Sequence, residues 1–467
     1  MNRRIIAPII IVMAVLSAGP LAWQQHNIRA QQQTQQEFTQ LIKDIAPHLK
    51  PNPRKIRTIS KLLDNLKTTN AQLEQSPLKS EAAAADLAAT KAKKEILDEF
   101  QPRFNTIKPR HLEACQREDL YRYWGTLDIW QSWLDTKLGL SASPDNAALI
   151  YEEQAGRSMG RPAIMSEIKA VGEEEFTKVT KLLEELADRV QSEFGLDLHS
   201  FAQEPNHYSD AEEDVQRRSS EALERVETAF EASGQFDFTS IPKGRVQVRR
   251  GYGPYNSIAS YRKQDNAMVL FWADGSYNHK YDTMLAVHEI MPGHHLQIKT
   301  VKEPTCGKGP VHAQTAFLEG WATYAETLAD EIGLFEAPDQ RLGWLDYRLI
   351  RAMRIRLDMA RMENTLTEAQ ARTQWEADMP ERLHSLFDRE WGRITQSRHH
   401  LSYIFGDRAI LDAKNKLRTQ LGPKFNEKKF HKTLLSSSHI HLLYLPERMA
   451  AQMQSKRTSA REAENTH

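Results

Sequence analysis

Pro292 and Gly293 interrupt the stretch Leu285-Ala-Val-His-Glu-Ile-Met-Pro-Gly-His-His-Leu296, and a regular helix cannot run through that pair. A proline inside a helix removes a backbone donor and drives its ring into the carbonyl four residues back, here that of His288. Gly293 then tolerates whatever dihedrals the detour needs. Four polar side chains flank the break: His288 and Glu289 before it, His294 and His295 after it. On an uninterrupted helix the residue six positions on points about 120° away, and the residue seven on lies two turns further along. Neither His294 nor His295 could then share a ligand with His288. A bulge that takes up two residues would return His294 to the place normally held by position i+4, and such bulges are frequent at functional sites.

Two histidines at i and i+4 with a glutamate beside the first form the H-E-x-x-H arrangement, in which both imidazoles reach one zinc ion. A third protein ligand is expected, because catalytic zinc takes three and leaves one position open. Phe317-Leu-Glu-Gly-Trp-Ala-Thr-Tyr-Ala-Glu326 supplies Glu319 on the next predicted helix, after a Pro304- and Gly307-containing loop from Lys302 to Pro310. Glu326 shares the face of Glu319 at i+7 and is placed to orient a ligand from behind. His295 stays the alternative to His294 as second histidine.

His288-Glu-Ile-Met-Pro-Gly-His-His295, followed by Glu319-Gly-Trp321, resembles a widespread bacterial family of metallopeptidase-like proteins marked by an H-E-x-x-P-G-H-H motif. That family is largely of unknown function and is similar to a distant branch of the gluzincins. The resemblance covers most of the chain, is sharpest from about Trp272 to Ala329, and returns at Leu401-Ser-Tyr-Ile-Phe-Gly406. It implies a zincin core in which His288, His294 and Glu319 hold one zinc ion and Glu289 is the general base. The chain departs from the family pattern at Met359-Ala-Arg-Met362 and Arg398-His-His400, which bears on substrate preference. Tyr403 is the expected oxyanion stabiliser, with His399 and His400 behind it. Arg351, His399 and His400 are candidates for substrate contact. The run Arg348, Arg351, Arg354 and Arg356 could hold a substrate carboxylate, but such a run more often is a salt-bridged helix surface.

The rest of the chain predicts a mainly α fold, a large helical body with one small β-sheet beside the active-site helix. Helices are expected over Glu81–Phe100, Glu167–Phe194, Asp210–Ala232, Thr315–Gly333, Leu342–Met362 and Thr367–Arg389. Strand signals are confined to Val246–Val248 and Ala267–Trp272, the second read equally as an edge that could pair with an extended peptide or as sheet core. Asn2-Arg-Arg4 before an apolar run makes residues 1–23 an export signal or membrane anchor, delivering the body to the periplasm or the outer face of the inner membrane. Residues 24–75 follow as a spacer and first helical segment, then a helical part (76–240), a catalytic part (241–455) and a disordered tail (456–467), with 24–455 as one continuous unit. Lysine plus arginine equals aspartate plus glutamate at 62 each, so nothing steers the chain to nucleic acid. Cys115 and Cys306 are too few for a disulfide framework. The function expected is hydrolysis of oligopeptides by a zinc peptidase. A metal-dependent amidase on cell-wall material and a non-catalytic envelope protein that keeps the fold are the alternatives.

Overall fold

The computed structural model describes residues 28–45, 77–113, scattered positions from 116 to 138, 147–161, 163–253, 257–272, 275–300, 315–363, 366–436 and scattered positions from 442 to 453. The segment 1–23, most of 24–75, both cysteines, the Lys302–Pro310 loop and the tail 456–467 lie outside them. No helix among the described residues is long and apolar enough to cross a membrane. The chain divides into two compact units, residues 1–134 with 305–310, and residues 135–304 with 311–467.

In the first unit, helix α1 (residues 28–45) and helix α2 (Pro77–Thr106) share a core of Phe38, Leu41, Ile45, Leu97, Phe100 and Phe104. The second unit carries the motif. Helix α3 (Ala147–Met159) leads to helix α4 (Met165–Phe194), whose Ile168, Val171, Val179, Leu183, Leu186 and Val190 are buried along one face at helical spacing. Gly195, at φ +69°, takes the left-handed turn that ends α4. Helix α5 (Glu212–Ser233) then precedes the sheet.

That sheet has strands β2 (Arg245–Arg250), β4 (Ala267–Trp272) and β3 (Ala259–Arg262) in the order β2-β4-β3. β4 pairs parallel with β2 and antiparallel with β3, which decides for sheet core over the edge reading. Its near-continuous burial suits a central strand, covered on both faces. A separate two-residue ladder joins β1 (Tyr208–Ser209) to β5 (Tyr277–Asn278).

Further helices among the described residues of this unit are α6 (Asp282–Glu289), α7 (His294–Thr300), α8 (Thr315–Glu331), α9 (Pro338–Met362), α10 (Glu368–Asp378), α11 (Phe387–Gln396), α12 (Leu401–Leu421) and α13 (Glu427–Leu435). The body is mainly helical, as expected. The single helix expected over Thr367–Arg389 is instead two, because Pro380 follows α10 and a 3-10 turn (Glu381–Leu386) intervenes. α9 also differs from expectation, since Arg348, Arg351 and Arg354 are buried and not on a surface. Each meets a buried carboxylate: Glu175 for Arg348, Glu326 for Arg351 and Glu390 for Arg354.

α8 packs along α12, and the two backbones touch at Gly320 and Gly406. A Cβ on Gly320 would stand 2.4 Å from the Gly406 Cα. The approach brings the Glu319 end of α8 against the Tyr403 end of α12. Gly320→Ala is expected to force the helices apart and lower stability by about 1–3 kcal/mol, read as a lower denaturant midpoint.

Candidate metal centre

α6 ends at Glu289 and α7 begins at His294, so the motif spans two helices joined by a tight turn, not one bulged helix. The Met291–Pro292 peptide is cis. The Gly293 N–H donates to the Val287 carbonyl at 3.0 Å, folding the turn back on α6. A Cβ on Gly293 would lie 1.8 Å from the His288 carbonyl oxygen, so only glycine fits. Trp321 braces the turn from α8, its indole N–H donating to the Pro292 carbonyl at 2.8 Å. The pairing of Pro-Gly with Glu-Gly-Trp is thus a direct contact.

The turn returns His294 to His288, with ring centroids 4.9 Å apart. His288 Nε2 and His294 Nε2 each lie 3.5 Å from the same oxygen, Glu319 Oε2. The ligating atoms of the three residues all fall within 4.8 Å of one another. Donors about 2.1 Å from the centre of a tetrahedron sit about 3.4 Å apart, so this cluster has the spacing to surround one divalent ion.

Behind it, His288 Nδ1 meets Glu326 Oε1 at 2.7 Å, and Arg351 donates to both Glu326 oxygens at 2.7 and 2.8 Å. Burial opposes the charge on Glu326, but Arg351 and His288 outweigh it and hold the carboxyl at about 2. Burial likewise works against the His288 imidazolium, yet hydrogen bonds to Glu319 and Glu326 raise its pKa to about 9. Glu319 is held well below the usual carboxylate range by three histidines that overcome its burial. The donor set is therefore built for positive charge.

The other candidates separate clearly. Glu289 faces the same cavity, and its buried Oε2 has no hydrogen-bond partner. His295 points to the sheet side, with Nδ1 2.9 Å from the Tyr261 hydroxyl and Nε2 2.7 Å from the Pro242 carbonyl. His399 Nε2 lies 3.3 Å from Glu319 Oε1 and 3.4 Å from the Tyr403 hydroxyl. The Tyr403 ring stacks on His288 at 6.2 Å. Burial and then the Glu319 charge push its phenol well above the ordinary range, so it keeps its proton. His400 is buried and turned to Asp358 at 3.0 Å. Arg351, expected as a substrate contact, is committed to Glu326 and does not line the cavity.

The cavity beside the histidines has a volume of about 1010 Å³. Strand β3 forms part of its wall through Ala259, Ser260 and Tyr261. Arg354, Arg389 and Arg393 form another part, and sequence reasoning missed the last two. Arg389-Glu-Trp-Gly-Arg393 puts two arginines at i and i+4, a signal too common on helix surfaces to single out.

Residues 19–449 match a family described as "Bacterial protein of unknown function (DUF885)". The chain belongs to the DUF885 family. As a DUF885 member it agrees with the resemblance read from the motif, at the level of a bacterial family of unknown function. No curated protein matches it in sequence. Among solved structures it is similar to a candidate lipoprotein from Colwellia psychrerythraea, with 17% identity and a TM-score of 0.55. That match covers 77% of this chain and 66% of the other, so this DUF885 chain spans just under two thirds of that relative's length. A candidate lipoprotein of unknown function from Shewanella oneidensis matches at 16% identity and a TM-score of 0.47, covering 88% of this chain and 81% of that one. Metallocarboxypeptidase 1 of Trypanosoma cruzi matches more weakly, at 13% identity and a TM-score of 0.39, over 93% and 99% of the two chains.

Proposed function

We propose that this protein is a zinc-dependent metallopeptidase that hydrolyses peptide bonds of oligopeptides. One observation carries the reading. His288, His294 and Glu319 converge on one point while the unpartnered Glu289 carboxylate faces the same buried cavity. Two imidazoles and a carboxylate, with the far nitrogen of one imidazole held by Glu326, suit zinc and leave a position open. A zinc ion bound there would supply Lewis-acid polarisation of a scissile carbonyl and of a water molecule. Glu289 accepts the proton that water gives up on attacking the carbonyl carbon, and passes it to the departing amine. The protonated Tyr403 hydroxyl donates to the carbonyl oxygen as negative charge grows on it, with His399 beside it. Strand β3, at the edge of the sheet among the described residues and beside the cavity, is the place where an extended peptide would pair. The basic N-terminus and apolar run support our placing of the enzyme in the periplasm or on the outer face of the inner membrane, which cell fractionation tests.

The decisive experiment measures zinc and peptide cleavage on the purified full chain. His294→Ala is expected to lose stoichiometric zinc together with cleavage. His295→Ala, which removes a side chain facing Tyr261 and Pro242, is expected to keep both. A wild-type protein that binds no zinc, or a His294→Ala variant that keeps it, defeats the reading.

A further inference from the structure

Five arginines near the metal centre fall into two sets. Arg348 and Arg351 sit behind the metal centre, each against its own buried carboxylate, and neither lines the cavity. Arg354, Arg389 and Arg393 form a wall of the cavity itself. The carboxylate acting on all three is Glu390, which is fully buried. Arg354 Nε reaches it at 2.6 Å and Arg389 Nε at 2.8 Å. Of the other acidic side chains lining the cavity, Glu289 and Glu319 belong to the metal centre, and Asp388 is paired with Arg372. Among the described residues lining the cavity, the wall is therefore a concentration of positive charge. Burial and the neighbouring Arg354 and Arg389 charges press the Arg393 pKa below its ordinary value despite Glu390. An anion bound against the wall would relieve that repulsion.

The wall also stands next to the reaction centre. Tyr403, Glu319 and the three arginines line the same cavity, and the charges of Glu319, Arg354 and Arg393 all act on the Tyr403 phenol. We propose that Arg354, Arg389 and Arg393 bind a carboxylate of the peptide substrate while the scissile bond lies at the metal centre. Guanidinium groups match carboxylates with paired hydrogen bonds, and a partly desolvated wall strengthens them. The substrate class is then a peptide with a free carboxylate close to the bond that is cut, supplied by its C-terminus or by an acidic side chain. The proposal rests on the peptidase reading for its reaction, but its binding step can be measured without turnover.

The test uses the zinc-loaded full chain and three probes: acetyl-trialanine as the free acid, the same peptide as its C-terminal amide, and an acetyl-Ala-Glu-Ala amide. Binding is measured by calorimetry and cleavage by mass spectrometry. At least one carboxylate-bearing probe is expected to bind about tenfold to hundredfold more tightly than the trialanine amide. Preference for the free acid identifies the C-terminus as the source; preference for the glutamate-bearing amide identifies the side chain. Arg393→Gln and Arg389→Gln are expected to erase the preference with zinc content unchanged, and Arg393→Lys to restore part of it. Equal binding of all three probes by the wild type overturns the proposal, whatever becomes of the variants. So does a preference that survives both glutamine variants, since neither Arg389 nor Arg393 would then hold the carboxylate. Selective binding of a carboxylate probe without cleavage of any peptide sinks the peptidase reading and leaves this site standing.

Discussion

Glu289→Gln is expected to bind zinc as the wild type does and to lose about 10²- to 10⁴-fold in kcat for peptide cleavage. Glutamine keeps the size of the side chain and one carbonyl oxygen, but it cannot take a proton from water at neutral pH. The Glu289 carboxylate enters no metal cluster and its Oε2 has no other partner, so little else should change. Zinc content by elemental analysis and steady-state kinetics on one preparation separate the two effects. A zinc-loaded variant that cleaves peptides at the wild-type rate removes Glu289 from the mechanism, and the loss of zinc would reassign it to the ligand set.

The second large effect is expected at Glu326. Its carboxylate is fully buried, accepts two hydrogen bonds from Arg351 and holds His288 in place. Glu326→Ala strands the Arg351 guanidinium in the interior, which costs about 3–5 kcal/mol of stability. It also frees the His288 ring, and zinc affinity should fall about 10- to 100-fold. Denaturant unfolding of the zinc-free protein measures the first effect and competition with a chelator the second. The double variant Glu326→Met with Arg351→Met distinguishes their origins. It should recover most of the stability, because no charge is left unpaired, and none of the zinc affinity. A Glu326→Ala protein as stable as the wild type would mean that water reaches Arg351.

Much of the site was legible because its signal is short in sequence. A proline-glycine pair between histidines could only mean a departure from helix geometry, and Glu319 lay at the distance a reversal needs. The manner of the departure was not legible. Whether the chain bulges within one helix or stops and restarts depends on Trp321, which reaches the turn from α8. Long-range pairing was equally hidden. The apolar run Ala267–Trp272 reads the same as a central or an edge strand until the flanking strands are in place. The arginines of α9 suggested solvent because their carboxylates arrive from other helices, Glu175 on α4, Glu326 on α8 and Glu390 on α11. Periodicity reads one helix at a time, and these pairs each need two. The wall of Arg389 and Arg393 was invisible for the same reason.

The break after Glu289 alters what a metal ion would do for this fold. In an unbroken helix, two histidine ligands already belong to one hydrogen-bonded ladder, and the ion adds little to its integrity. Here His288 lies in the last turn of one helix, His294 opens another and Glu319 stands on a third. An ion held by all three becomes a rivet through separate pieces of backbone, and its binding free energy becomes part of what keeps them together. In such an arrangement the supply of metal would govern the durability of the protein as well as its chemistry.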